Sequence, residues 1–203
     1  MNLMASYRRA QDGFDTTLAS VPGDQWEVPS TCADWTVRDV AGHVIWGQDQ
    51  LRCWATGETY GGPPGGPGSP HPGELAGDDP LATWRRARAA CAAVLTDETL
   101  DRIISLPGLG NRTIESMVTI VFNDTFIHGW DIGHALGVGM RLPPDLVAAS
   151  HAWARDNILR VPGFFGPELA PPPDVDEQTR WLAFLGRAAW KPVTPMSRER
   201  IAT

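Results

Sequence analysis

Residues 114–137, IESMVTIVFNDTFIHGWDIGHALG, carry the strongest pattern in the chain. Stepping by three and four gives Met117, Val121, Asp124, His128, Asp131 and Ala135, one face of a helix. The apolar members mark that face as buried, yet three of its positions are polar. A buried carboxylate is costly unless it is paired, hydrogen-bonded or bound to a metal. Asp124 and His128 lie four apart, so their side chains leave adjacent turns on the same side. Two histidines of an HExxH helix share one zinc by the same spacing. Gly137 supplies a stop, and the pattern predicts a helix over 114–136.

Working away from that helix, the same periodicity recurs. Leu3, Tyr7, Ala10, Phe14 and Leu18 predict a first helix over 3–18. A second begins at Thr36, where Asp39 completes a capping box and Trp35 and Val40 are spaced for a hydrophobic staple. Its apolar face, Val37, Val40, Ala41, Val44, Ile45 and Leu51, runs to about Trp54. Residues 57–79 then hold 8 Gly and 5 Pro in 23 positions, which predicts a long loop. A bundle whose second and third helices run in the same direction needs such a crossover. Pro80 opens a third helix through Trp84, Ala87, Cys91 and Leu95. After the 114–136 helix, further helices are expected over 145–159 and 177–189, with a Pro- and Gly-rich segment between them. No segment alternates strictly, so the expected class is all-α. The expected organisation is a single domain over 1–203, with a C-terminal extension over 161–203.

A third ligand for Asp124 and His128 must come from another segment, and His43 falls near the edge of the second helix's buried face. A His/Asp/His set on two helices leaves a tetrahedral ion one open position, as catalytic sites do. The residues alone leave a plainer reading open, in which His43 is a core histidine satisfied by a neighbour and Asp124 and His128 are a helix-face pair. Asp131 is placed either to orient a ligand or to bond a neighbouring helix. His71, His134 and His151 read as solvated. The tryptophans Trp35, Trp46, Trp54, Trp84 and Trp130 read as core packing.

Composition excludes several classes. With 17 basic and 24 acidic residues the net charge is −7, and no basic cluster tracks phosphates, so nucleic acid is not an expected partner. No run approaches the roughly 20 apolar residues that cross a bilayer, and the N-terminus has no signal core, so the expectation is a cytoplasmic protein. Three cysteines, Cys32, Cys53 and Cys91, without CxxC spacing form neither a disulfide framework nor a zinc knuckle. GxSxG, GxxxxGK[ST] and GxGxxG are absent. Exposed helical faces leave room for a homodimer.

DWTVRDVAGHVIWG from Asp34 resembles the first histidine signature of the DinB-like helical proteins, in the actinobacterial branch related to mycothiol-dependent maleylpyruvate isomerase. NDTFIHGWDIGHALG from Asn123 resembles the second, in which an acidic residue precedes a histidine by four. FFGPELAPPPDVDEQTRWLAFLGRAAW from Phe164 is similar to the C-terminal end of one subgroup. The resemblance implies a four-helix bundle with a long connection between its second and third helices. It also implies a divalent metal, usually zinc with nickel or another ion as alternatives, held by His43, Asp124 and His128. The family ligand is generally Glu, one methylene longer than Asp124. The full-length isomerases carry a further domain that this chain is too short to include, which shifts the expectation from isomerisation to transfer. The implied chemistry is a thiol S-transferase: a mycothiol-type thiol, held as its thiolate, attacks an electrophilic small molecule. A thiol-dependent isomerase, a metal-assisted hydrolase and a non-catalytic binding module are the alternatives.

Overall fold

The computed structural model describes residues 2–106, 110–161 and 163–191. Four long helices form the body: α1 (Leu3–Ala19), α2 (Val37–Thr56), α3 (Pro80–Ala92) and, after a one-turn α4 (Asp97–Leu100) and a hairpin, α5 (Ile114–Ala135). Both α1 and α2 pack on α3 and on α5, which sets α1 and α2 across the bundle from one another. Two smaller helices, α6 (Pro144–Asn157) and α7 (Glu177–Phe184), pack together. Phe126 of α5 meets Trp181 of α7 with ring centroids 5.4 Å apart.

The helix starts follow local chemistry. Thr36 and Asp39 form the predicted capping box on α2, and side chains of Asn2, Asp79, Thr113 and Asp176 cap α1, α3, α5 and α7. Each accepts from an otherwise unpaired N–H of the first turn, worth about 1 kcal/mol. The predicted stripes are the buried ones. Tyr7, Ala10, Phe14 and Leu18 of α1 meet Val37, Val40, Ala41 and Val44 of α2, Trp84 of α3 and Met117 and Val121 of α5 in two apolar clusters.

The 57–79 loop is a crossover. It leaves the end of α2 and returns to its start, where a short 3-10 turn (Pro72–Ala76) is pinned: Asp39 Oδ1 accepts from Gly73 N at 2.9 Å and Arg38 donates to Gly77 O at 2.7 Å. From there α3 begins, so α2 and α3 start from the same end. Asp39 thus caps a helix and anchors the loop that must travel its length.

Three expectations are corrected. A two-stranded antiparallel hairpin, β1 (Ile103–Leu106) with β2 (Gly110–Thr113), interrupts the helical chain. Four residues per strand, mostly exposed, are too few to register as alternation. The helix expected over 177–189 ends at Phe184, because Gly186 adopts φ +83 and Arg187 N bonds back to Leu182 O. A left-handed glycine there closes the helix and reverses the chain. The helices expected to reach Leu95 and Leu159 end at Ala92 and Asn157. Of the expected 161–203 extension, residues 162 and 192–203 lie outside the described residues. Among the described residues no helix is long and apolar enough to cross a membrane.

Candidate metal centre

Helices α2 and α5 bring the three predicted donors together. His43 lies on the buried side of α2, between Val40 and Val44, with its imidazole turned inward. Its Nε2 is 3.2 Å from Asp124 Oδ1, and His128 Nε2 is 3.4 Å from the same oxygen. One donor atom from each residue lies within 4.8 Å of the other two. The imidazoles stand edge to face, with centroids 5.1 Å apart. The shorter Asp124 side chain reaches both rings.

Partners on the far side of each ring set its tautomer. His43 Nδ1 is 2.6 Å from Gly65 O, which can only accept, so Nδ1 carries a hydrogen. His128 Nδ1 likewise donates to Asp131 Oδ2 at 2.9 Å. Two neutral imidazoles would then present Nε2 lone pairs to one carboxylate oxygen. Three acceptors so close require positive charge between them, as a proton or as a metal ion. Ligands about 2.0–2.1 Å from a tetrahedral zinc stand roughly 3.3 Å from one another, which matches the separations of both Nε2 atoms from Asp124 Oδ1. The donor set therefore fits a divalent cation.

The electrostatics express the same demand. Burial pushes the Asp124 carboxyl up, but His43 and His128 outweigh it and hold it far below the usual range. Burial pushes the His128 imidazolium down, yet Asp124, with Cys32 and Asp131, turns the net direction upward.

Asp131 is wholly buried and accepts from four residues. Arg187 donates through Nε to Oδ1 at 3.1 Å and through Nη2 to Oδ2 at 2.9 Å. Thr31 Oγ1 bonds Oδ1, and Cys32 Sγ lies 3.4 Å from Oδ2. Burial would raise this carboxyl, but Arg187 and His128 keep it well below its ordinary value. Arg187 arrives from the reversed turn after α7. Cys32, His128 and Asp131 also form a cluster with cation-ligating atoms. There, however, the guanidinium already supplies the positive charge, and His128 Nδ1 is committed to Asp131. His43, Asp124 and His128 are the better-suited set.

The donors sit at one end of a cleft of about 1140 Å³. Trp35 walls that end, with its ring 4.9 Å from His43 and its Nε1 donating to Ser69 O at 2.9 Å. Ile120, Ile127, Trp153, Phe164 and Leu185 are also among its lining residues. Trp35 is therefore a cleft wall and not only core packing, whereas Trp84 and Trp130 are core as expected. His71 is exposed at the cleft margin, as expected of a loop residue, but His134 is half-buried, stacked on Trp130 at 4.5 Å. Sequence reasoning missed Thr31, Cys32, Gly65, Trp153 and Arg187. Only Thr31 and Cys32 had a signal, their place just ahead of the Asp34 motif.

Residues 7–133 match the mycothiol maleylpyruvate isomerase N-terminal domain family. The chain belongs to that family. All three donors and Asp131 fall within the match, while Arg187, Trp153 and Phe164 lie beyond it. Among its relatives, the uncharacterized protein Rv0738 of Mycobacterium tuberculosis is 30% identical over 193 residues, covering 92% of this chain and 98% of the relative. The uncharacterized protein Rv0036c of the same organism is 27% identical over 181 residues, covering 83% and 68%. No solved structure matches the chain.

Proposed function

We propose that this member of the family is a metal-dependent thiol S-transferase that joins a mycothiol-type thiol to an electrophilic small molecule. What carries the reading is the convergence of His43 Nε2, His128 Nε2 and Asp124 Oδ1 at one end of a cleft large enough for two reactants. His43, Asp124 and His128 would hold a divalent cation, zinc by the chemistry of the donors, and Asp131 is the positioning residue. When bound, such an ion stabilises a thiolate at neutral pH and so supplies the nucleophile.

The chain's own groups do the rest. Gly65 and Asp131 hold the two imidazoles in the tautomer that leaves Nε2 free, and Arg187 holds Asp131. Trp35 packs beside His43, its ring centroid 4.9 Å away. In a displacement, the sulfur–carbon bond forms as the bond to the leaving group breaks, the leaving group takes the bonding pair, and the thiol proton passes to solvent. In an addition the same proton ends on the neighbouring carbon.

The family match favours a second reading, a thiol-dependent isomerase in which the sulfur adds and is later expelled. Mass spectrometry of small molecules separates the two. Purified protein is incubated with zinc, mycothiol and a panel of electrophiles, with arms lacking thiol, metal or protein. A stable S-conjugate formed only in the complete mixture is the expected result. Rearranged substrate with thiol regenerated would establish the isomerase, and turnover without thiol a hydrolase. A protein that retains no metal and forms no product would overturn all three.

A further inference from the structure

The cleft lining combines the polar donor cluster with apolar side chains, and its arginines are already engaged. Two arginines line it. Arg187 is held by Asp131 on two sides and donates through Nη1 to Leu185 O at 3.0 Å. Arg160 donates to Gly166 O at 2.6 Å and to Phe184 O at 2.7 Å, and its guanidinium lies 4.8 Å from the Phe184 ring centroid. Arg187 is neutralised within the fold by Asp131, and the exposed Arg160 is tied to two backbone carbonyls. Asp34 and Asp124 line it too, so the arginines and carboxylates of the lining balance and the side chains themselves add no net positive charge.

The opposite is true of apolar surface. Ile120 and Trp153 line the cleft over the buried Ile127 and Leu185, and Val161 and Phe164, also on its lining, are 48% and 51% exposed. Large hydrophobic side chains left in water beside a cavity mark a surface that gains by being covered.

Resting on the thiol-transfer reading, we propose that the electrophile is a neutral, apolar molecule of aromatic size, and not a small dicarboxylate. It lies against Trp153 and Phe164 with its reactive carbon toward the donor cluster. Attack by the thiolate at an activated aryl carbon forms the sulfur–carbon bond, expels halide with its electron pair, and leaves the thiol proton in solution. No oxidant or reductant is needed.

Two matched probes test this, 1-chloro-2,4-dinitrobenzene and its anionic counterpart 4-chloro-3,5-dinitrobenzoate, each with mycothiol and the zinc-loaded protein. Rates are divided by the uncatalysed rate of the same probe. The expected enhancement is at least about ten-fold greater for the neutral probe, a difference of about 1.4 kcal/mol. Phe164→Ser, at an exposed position, should raise KM for that probe several-fold while leaving zinc content unchanged. In parallel, calorimetry without thiol compares the unreactive 1,3-dinitrobenzene with 3,5-dinitrobenzoate, and the neutral molecule should bind more tightly. If neither chloro compound is turned over but 1,3-dinitrobenzene binds and Phe164→Ser weakens it, thiol transfer fails and the apolar class stands. If the carboxylated probes bind or react equally well or better, or if nothing binds, the apolar class is overturned.

Discussion

The two ends of the cleft are built in different ways. The donor end stands on α2 and α5, the packed middle of a helical bundle, and its side chains are held by partners on their far sides. The apolar end is assembled from the Pro67–His71 loop, Trp153 of α6, Val161 and the irregular stretches 163–167 and 185–187 on either side of α7. Rigid helices suit ion binding, where donor positions must hold to a few tenths of an ångström. Loops suit recognition, where walls can vary without disturbing the chemistry. The family match covers residues 7–133 and therefore the donor end, while most of the apolar wall lies past it. Common chemistry with a private substrate is the arrangement this suggests.

If the donor end is a metal centre, removing one ligand should abolish it without unfolding the bundle. His128→Ala is expected to lower metal affinity by more than about 100-fold, beyond what loss of an outer partner costs, and to eliminate thiol transfer. Circular dichroism should show unchanged helix, because the apolar clusters do not depend on an ion. Loss of helix on this substitution would mean that the polar cluster is structural, and the contrast between the two ends would collapse.

Arg187 joins the ends, since it sits on the loop side and pairs with a carboxylate on the helix side. Arg187→Ala leaves Asp131 buried without its bidentate partner, so a loss of about 3 kcal/mol is expected in urea denaturation. Metal affinity should fall by about ten-fold as His128 loses a firmly held acceptor. A stable variant with unchanged affinity would separate the ends and confine the site to the helices.

This division also explains what could be read from the chain. Helical period exposed the donors, because Asp124, His128 and Asp131 interrupt a stripe that is otherwise apolar, and the Thr36 capping box located the helix carrying His43. No periodic signal points to Arg187: it lies 56 positions from Asp131, and its arrival depends on the left-handed turn at Gly186. Gly65 was equally hidden, one of eight glycines in the crossover loop. Its specific role appears only where the loop crosses Trp46 and Leu75, since a Cβ there would lie 2.5 Å from each. Gly65→Ala should shift the carbonyl off His43 Nδ1 and weaken metal binding by about ten-fold, measured by competition with a chelating dye. An unchanged affinity would show that the loop is free of the donor end.

The finest distinction lies within the donor end, where His128 belongs to two clusters, one with His43 and Asp124 and one with Cys32 and Asp131. A thiolate ligand would be the stronger attraction for zinc if Cys32 were free to supply it. Arg187 stands against that, because its Nη2, 3.9 Å from Cys32 Sγ, also donates to Asp131 and already fills the need for a cation on that side. Cys32→Ser should therefore leave one metal equivalent bound, with affinity within about three-fold of the parent and stability changed by less than about 1 kcal/mol. Should metal content fall to zero, the ion would belong between Cys32, His128 and Asp131. Arg187 would then have to swing away, and His43 would serve as a wall of the cleft and not as a ligand.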